Sequence, residues 1–93
     1  MAQEVGVRSI AELKQFGHDL KRLSEQLTYA FHTAENKMHN VCYGWNDKVN
    51  AKFMAEFEKN IKEIDKIAAN MQDFSKFITK SCEILEQYQN NRL

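Results

Sequence analysis

Proline is absent from this 93-residue chain and glycine occurs only three times, so almost nothing in the composition interrupts a helix. Strand signals are missing as well. Charge of one sign is lacking, because 13 basic and 13 acidic side chains cancel and are interleaved along the sequence. Nucleic acid or an anionic membrane surface needs a one-sided basic footprint, so neither is expected as a partner. No apolar run approaches the roughly 20 residues of a membrane-spanning helix, and no membrane insertion is expected. The opening Met1-Ala2-Gln3-Glu4-Val5-Gly6-Val7 lacks the charged-then-apolar layout of a cleaved signal peptide. An exported form would leave by a route that needs none.

Chemical motifs are equally scarce. No nucleophile stands beside a base, and there is no glycine-rich phosphate loop, so no catalytic residue, cofactor or enzymatic activity is expected. His32, Glu35 and His39 sit three and four apart on one helix face, with Cys42 a turn later, a spacing compatible with a metal. The second half of the chain offers no histidine to complete such a site, and a solvated polar stripe accounts for the same residues. No metal ligand is assigned. His18 beside Asp19 reads as an exposed residue rather than a base.

What is present is helical periodicity in two arms. Residues 1–8 carry no pattern and read as a flexible tail. Ser9-Ile10-Ala11-Glu12 has the form of a capping box, so the spacing predicts a first helix over 10–43. Ile10, Leu13, Gly17, Leu20, Ser24, Leu27, Phe31, Ala34, Met38, Val41 and Trp45 alternate three and four apart, a heptad seam. Gly44 can end this helix at positive φ, and Asn46 or Asp47 can cap the next, which gives a turn at 44–46 and a second helix over 47–89. Its seam reads Phe53, Phe57, Asn60, Ile64, Ile67, Met71, Phe74, Ile78, Ser81, Leu85 and Tyr88. Residues 90–93 are expected to fray.

Folding the arms antiparallel makes the numbers of facing residues total a constant, and 91 matches every step, so that Gly17 faces Phe74 and Ser24 faces Ile67. Small residues then face bulky ones and the layers interdigitate. The fold class that follows is all-α, an antiparallel two-helix hairpin. Two helices of about 33 to 42 residues, on the order of 50 to 60 Å long, cannot surround a core alone. Phe16, Leu23 and Ala30 flank the first seam; Met54, Ile61, Ala68, Phe77, Cys82 and Ile84 flank the second. The apolar face is wider than a two-helix seam requires. Dimerisation into a four-helix bundle is expected, with Phe16, Leu23, Ala30, Met54, Ile61, Ala68, Phe77 and Ile84 as its interface and flanking residues on both sides of the seam. Cys42 near the turn and Cys82 near the chain ends lie on the order of 50 Å apart at helical rise, which excludes a bridge within one chain. Free thiols are expected, with a bridge between head-to-tail hairpins as the alternative.

Gly44-Trp45-Asn46-Asp47, with Phe53 eight residues after the tryptophan, resembles the W-x-G signature and following phenylalanine of the WXG family, small helical-hairpin proteins of type VII (ESX-like) secretion systems. The near-central turn matches as well. Asp47 stands where the family has glycine. Tyr88 is followed four residues later by Arg92, where family substrates often carry an acidic residue. The resemblance implies a small bacterial protein, cytoplasmic before export and then secreted. It would be a substrate itself or the targeting partner of a larger effector. Its partners would be itself or a related small helical protein, and in the export role that effector and a secretion ATPase. Gly44, Trp45, Asp47 and Phe53 are the turn residues on which the resemblance rests. The alternative is a cytoplasmic structural or adaptor subunit that docks on a larger helical assembly.

Overall fold

A computed structural model describes the backbone over residues 2–45 and 47–91, and the side chains within those ranges from Ser9 onward. The described residues form two helices, α1 (Ala2–Cys42) and α2 (Lys48–Asn91), packed antiparallel along their lengths. The rod measures 69 × 20 × 15 Å, and its radius of gyration is 20.6 Å. A compact domain of this length would have about 12 Å. The hairpin is one helix thick in its shortest dimension.

Both helices run further outward than expected. The backbone is already helical at Ala2, so Ser9 lies inside α1 and the Ser9–Glu12 capping box does not mark its start. With no proline between Ala2 and Ser9, nothing stops the helix from continuing backwards. At the other end α2 continues to Asn91, and only residues 92–93 of the expected fraying segment lie outside the described residues.

Two cross-helix hydrogen bonds fix the register. The Ser75 hydroxyl donates to the Gly17 carbonyl at 2.6 Å, and the Cys82 thiol lies 3.9 Å from the Ile10 carbonyl. In both pairs the residue numbers total 92, one more than expected. The shift changes alternate layers of α2. Phe57, Ile64, Met71 and Ile78 keep the inward positions assigned to them, while Met54, Ile61, Ala68, Ser75 and Cys82 fill the intervening layers in place of Phe53, Asn60, Ile67, Phe74 and Ser81. Ile61 is 3% exposed and Phe74 is 63% exposed, which decides between the two patterns. Met54, Ile61 and Ala68, expected at a dimer interface, therefore belong to the seam inside the hairpin.

The reason is visible on α1. Gly17 lies so close to α2 that a Cβ added there would stand 3.0 Å from Ile78 Cγ2 and 3.6 Å from the Ser75 carbonyl oxygen. Small residues meet small ones. Gly17 is level with Ser75, and the same register sets Ser24 level with Ala68, at 0% and 4% exposure. The Ser24 hydroxyl donates to its own helix at the Lys21 carbonyl, 2.7 Å away, so its burial leaves no unmet donor. Toward the chain ends Ile10, Ile78 and Cys82 form the buried cluster, with Leu13 and Leu20 packed against it.

The α1 seam follows expectation from Ile10 to Phe31 and again at Met38, while the layers on either side of Met38 move round by one residue. Glu35 is half-buried where Ala34 was expected, and Cys42 is buried while Val41 is exposed. An α-helix drifts by about 20° per heptad against a strict seven-residue repeat, and four heptads of drift are close to one residue's rotation. Trp45 is thus not the last rung of the seam. It is 50% exposed, beyond the helix end.

Substituting Gly17→Leu should overpack the closest approach and destabilise the hairpin by about 1–3 kcal/mol. Ile61→Ala should cost about 2–5 kcal/mol. Urea unfolding followed by circular dichroism measures both; a cost for Ile61→Ala no larger than that of an exposed position would contradict this register.

Candidate interaction surface

The two flanks of the seam differ in chemistry. On one flank the helices are joined by polar contacts. Lys14 Nζ meets Glu86 at 3.4 Å, His32 Nε2 meets Asp65 Oδ1 at 2.8 Å, and His39 Nε2 meets Glu58 Oε1 at 3.1 Å. A shallow groove on this flank is lined by His18 and Lys21 of α1 and by Gln72, Ser75, Lys76, Thr79, Lys80 and Glu83 of α2.

The opposite flank is apolar. At 100° per residue Phe16 and Leu23 lie about 200° round α1 from His18 and Lys21, and Phe74 lies about 200° round α2 from Gln72 and Lys76. With the seam between them, both sets emerge on the side away from the polar groove. Phe16, Leu23, Ala30, Phe77 and Ile84, five of the eight residues expected at an interface, are exposed, and Ile67 and Phe74 join them because the register turned them out of the seam. At the observed register Phe16 is level with Lys76, between Phe74 and Phe77. The flanking apolar residues therefore gather on one side of the hairpin rather than on both, since Met54, Ile61, Ala68 and Cys82, expected on the flank, lie in the seam.

The turn forms a separate polar-aromatic cluster. Gly44 has φ +82°, the left-handed conformation that suits glycine just past a helix end, and the Trp45 amide donates to the Cys42 carbonyl at 3.1 Å. Asp47 is the cap of α2. Its Oδ1 accepts from the Asn50 amide at 2.7 Å, and its Oδ2 accepts from the Trp45 indole nitrogen at 2.5 Å. Asn46, the other capping candidate, lies outside the described residues. The buried Asn50 side chain donates to the Trp45 carbonyl and reaches Met54 Sδ at 3.7 Å. Its Oδ1 is buried with no partner among the described residues. Phe53 is half-exposed and packs on Phe57 with ring centroids 6.1 Å apart.

Cys42 and Cys82 are both buried and unbridged. Cys42 lies in the seam, away from the polar flank on which His32 and His39 pair with Asp65 and Glu58. The four residues that sequence spacing groups on α1 are therefore not brought together as a set. Glu58 of α2 joins the group instead, a contact that only the register reveals. Among the described residues no helix is long and apolar enough to cross a membrane. No family model, curated protein or solved structure matches the chain.

The imidazole of His32 lies between two carboxylates, Asp65 and Glu35, the latter 3.3 Å from Nδ1. Its pKa is raised above the ordinary value of 6.5, chiefly by the hydrogen bond to Asp65. A raised folded-state pKa means that this contribution to stability is fully present below the unfolded value and is lost as pH rises through the folded one. In the presence of a chelator, the urea midpoint is expected to fall between pH 6 and pH 8, with a shallower fall in His32→Gln. Equal slopes would contradict the pairing. At the turn, Asp47→Ala is expected to cost about 1 kcal/mol through the lost cap. Trp45→Ala should cost less, because half the indole is already in water; a core-sized loss of about 3–5 kcal/mol would contradict its exposure.

Proposed function

We propose that this chain is a non-enzymatic helix-pairing protein whose apolar flank receives a second helical hairpin, giving a four-helix bundle. The observation that carries the reading is the amount and placement of uncovered surface. The chain exposes 7582 Å², whereas a compact monomer of 10.9 kDa would expose about 5,600 Å². The excess of about 2,000 Å² is of the size that obligate helical partners remove from one another. Phe16, Leu23, Phe74 and Phe77 give that excess an apolar centre, and the ion-paired flank opposite is suited to face water.

The specific setting we propose is a type VII (ESX-like) secretion pathway of the WXG kind. In it the hairpin serves as a secreted substrate or as the helical targeting partner of a larger effector, delivered to a secretion ATPase. The reading rests on Trp45 in the connecting turn and Phe53 beyond it, in a hairpin with arms of nearly equal length. Asp47, which replaces the signature glycine, departs from the family pattern and acts here as the helix cap that holds the indole. Tyr88 with Arg92 instead of an acidic residue favours the second reading, an adaptor subunit that stays in the cytoplasm and docks the same face on a larger helical assembly.

For the pairing, Phe74→Asp and Phe77→Asp are each expected to convert a two-hairpin species into a folded monomer in light scattering, with helicity retained. A wild-type monomer at high concentration would contradict pairing with itself and leave pairing with a related hairpin to be tested by co-expression. For the setting, the protein is expected in the medium of its native cells only while the secretion system is intact. Retention inside cells whose secretion system is working would contradict the export reading and favour the adaptor.

A further inference from the structure

We propose that Glu35, His39 and Glu58 form a binding site for a divalent first-row transition metal, of which Zn2+ is the expected occupant, tying α1 to α2 beside the turn. This inference does not depend on the proposed function and uses the flank opposite the apolar one. The donor atoms of the three side chains lie within 4.8 Å of one another, and His39 Nε2 is 3.1 Å from Glu58 Oε1. In a tetrahedral site with metal–ligand bonds of about 2.0–2.1 Å, neighbouring donors stand about 3.3 Å apart. Two of the three therefore already lie at ligand spacing, and modest rotamer movement brings in the third.

The helices pre-organise the set. Glu35 and His39 are four residues apart and share one face of α1, and the register of the seam delivers Glu58 from α2 to the same level. Glu35 is oriented from behind: His32 Nδ1 contacts its Oε1 at 3.3 Å, and His32 is in turn held by Asp65 at 2.8 Å. Partners that hold a ligating carboxylate in this way are a usual part of metal sites. One imidazole and two carboxylates suit zinc and its first-row neighbours. Three side chains are too few for calcium, which takes six to eight oxygens, and a neutral nitrogen donor does not suit magnesium. Three protein ligands leave a fourth position open, on a flank where His39 is exposed.

The site also lies where a clamp has most to add. Toward the chain ends the helices are locked by the close approach at Gly17 and Ser75. Toward the turn, that small-residue contact gives way to the long, flexible side chains of Met38 and Met54.

Isothermal titration of Zn2+ into the full chain tests the proposal, with the thermal midpoint as a second readout. One ion per chain and a raised midpoint are expected. His39→Ala and Glu58→Gln, both at solvent-accessible positions that should leave helicity intact, are each expected to weaken binding at least tenfold. His32→Ala, which removes only the group that positions Glu35, should weaken it by about tenfold to a hundredfold. Folded Cys42→Ala and His18→Ala should bind as the wild type does, and Co2+ should bind without thiolate charge-transfer absorption. No saturable binding by the wild type, binding that survives His39→Ala, or binding lost in folded Cys42→Ala would each overturn the site.

Discussion

The close approach of the two helices at Gly17 and Ser75 is the constraint on which the rest of this molecule depends. A glycine with no Cβ lets Ile78 and the Ser75 backbone come within contact distance of α1, and the Ser75 hydroxyl then bonds to the Gly17 carbonyl. Once that layer is set, helical periodicity sets the others. Ser24 falls opposite Ala68 and Ile10 opposite Cys82, so alternate layers toward the chain ends are built from small residues on at least one side. A seam made this way is narrow, and it leaves the bulky residues of α2 outside.

This is how close packing produces an interaction surface. Ile67 and Phe74 are not left over from a badly filled core; they are displaced by a tighter one, onto the flank that already holds Phe77. They gather with Phe16 and Leu23 on the flank opposite the Lys14–Glu86, His32–Asp65 and His39–Glu58 pairs, so one hairpin presents an apolar side and a charged side. The charged side gains from the same register, since it brings Asp65 to His32 and Glu58 to His39. A register one residue different would dissolve both arrangements together.

Much of this was legible in the residues. The absence of proline, the three-four rhythm, Gly44 as a helix stop and Asp47 as a cap lead to the hairpin and its turn without reference to any relative. The register was legible only in part, because two seams on α2 share Phe57, Ile64, Met71 and Ile78 and differ in the layers between. Hydrophobicity favours the one with Phe53, Ile67 and Phe74; the requirement that Gly17 and Ser24 be met closely favours the one with Ala68 and Ser75. Pattern reading weighs apolar character and has no term for interhelical distance, so it put bulky residues against the gaps. The same slip placed Met54, Ile61 and Ala68 outside the seam, whereas Trp45 leaves it through helical drift along α1. The cluster around His39 was hidden for a related reason: Glu58 is one of many acidic residues on α2 until the register picks it out.

The register is therefore the quantity to measure, and paired cysteines measure it directly. In a chain with Cys42 and Cys82 replaced by alanine, Ser24→Cys is combined either with Ala68→Cys or with Ile67→Cys, and intrachain bond formation is followed under mild oxidation. The account predicts ready closure of the Ser24–Ala68 pair and poor closure of the Ser24–Ile67 pair. Preferential closure of the second pair would restore the expected register, return Phe74 to the seam and remove the one-sided apolar face.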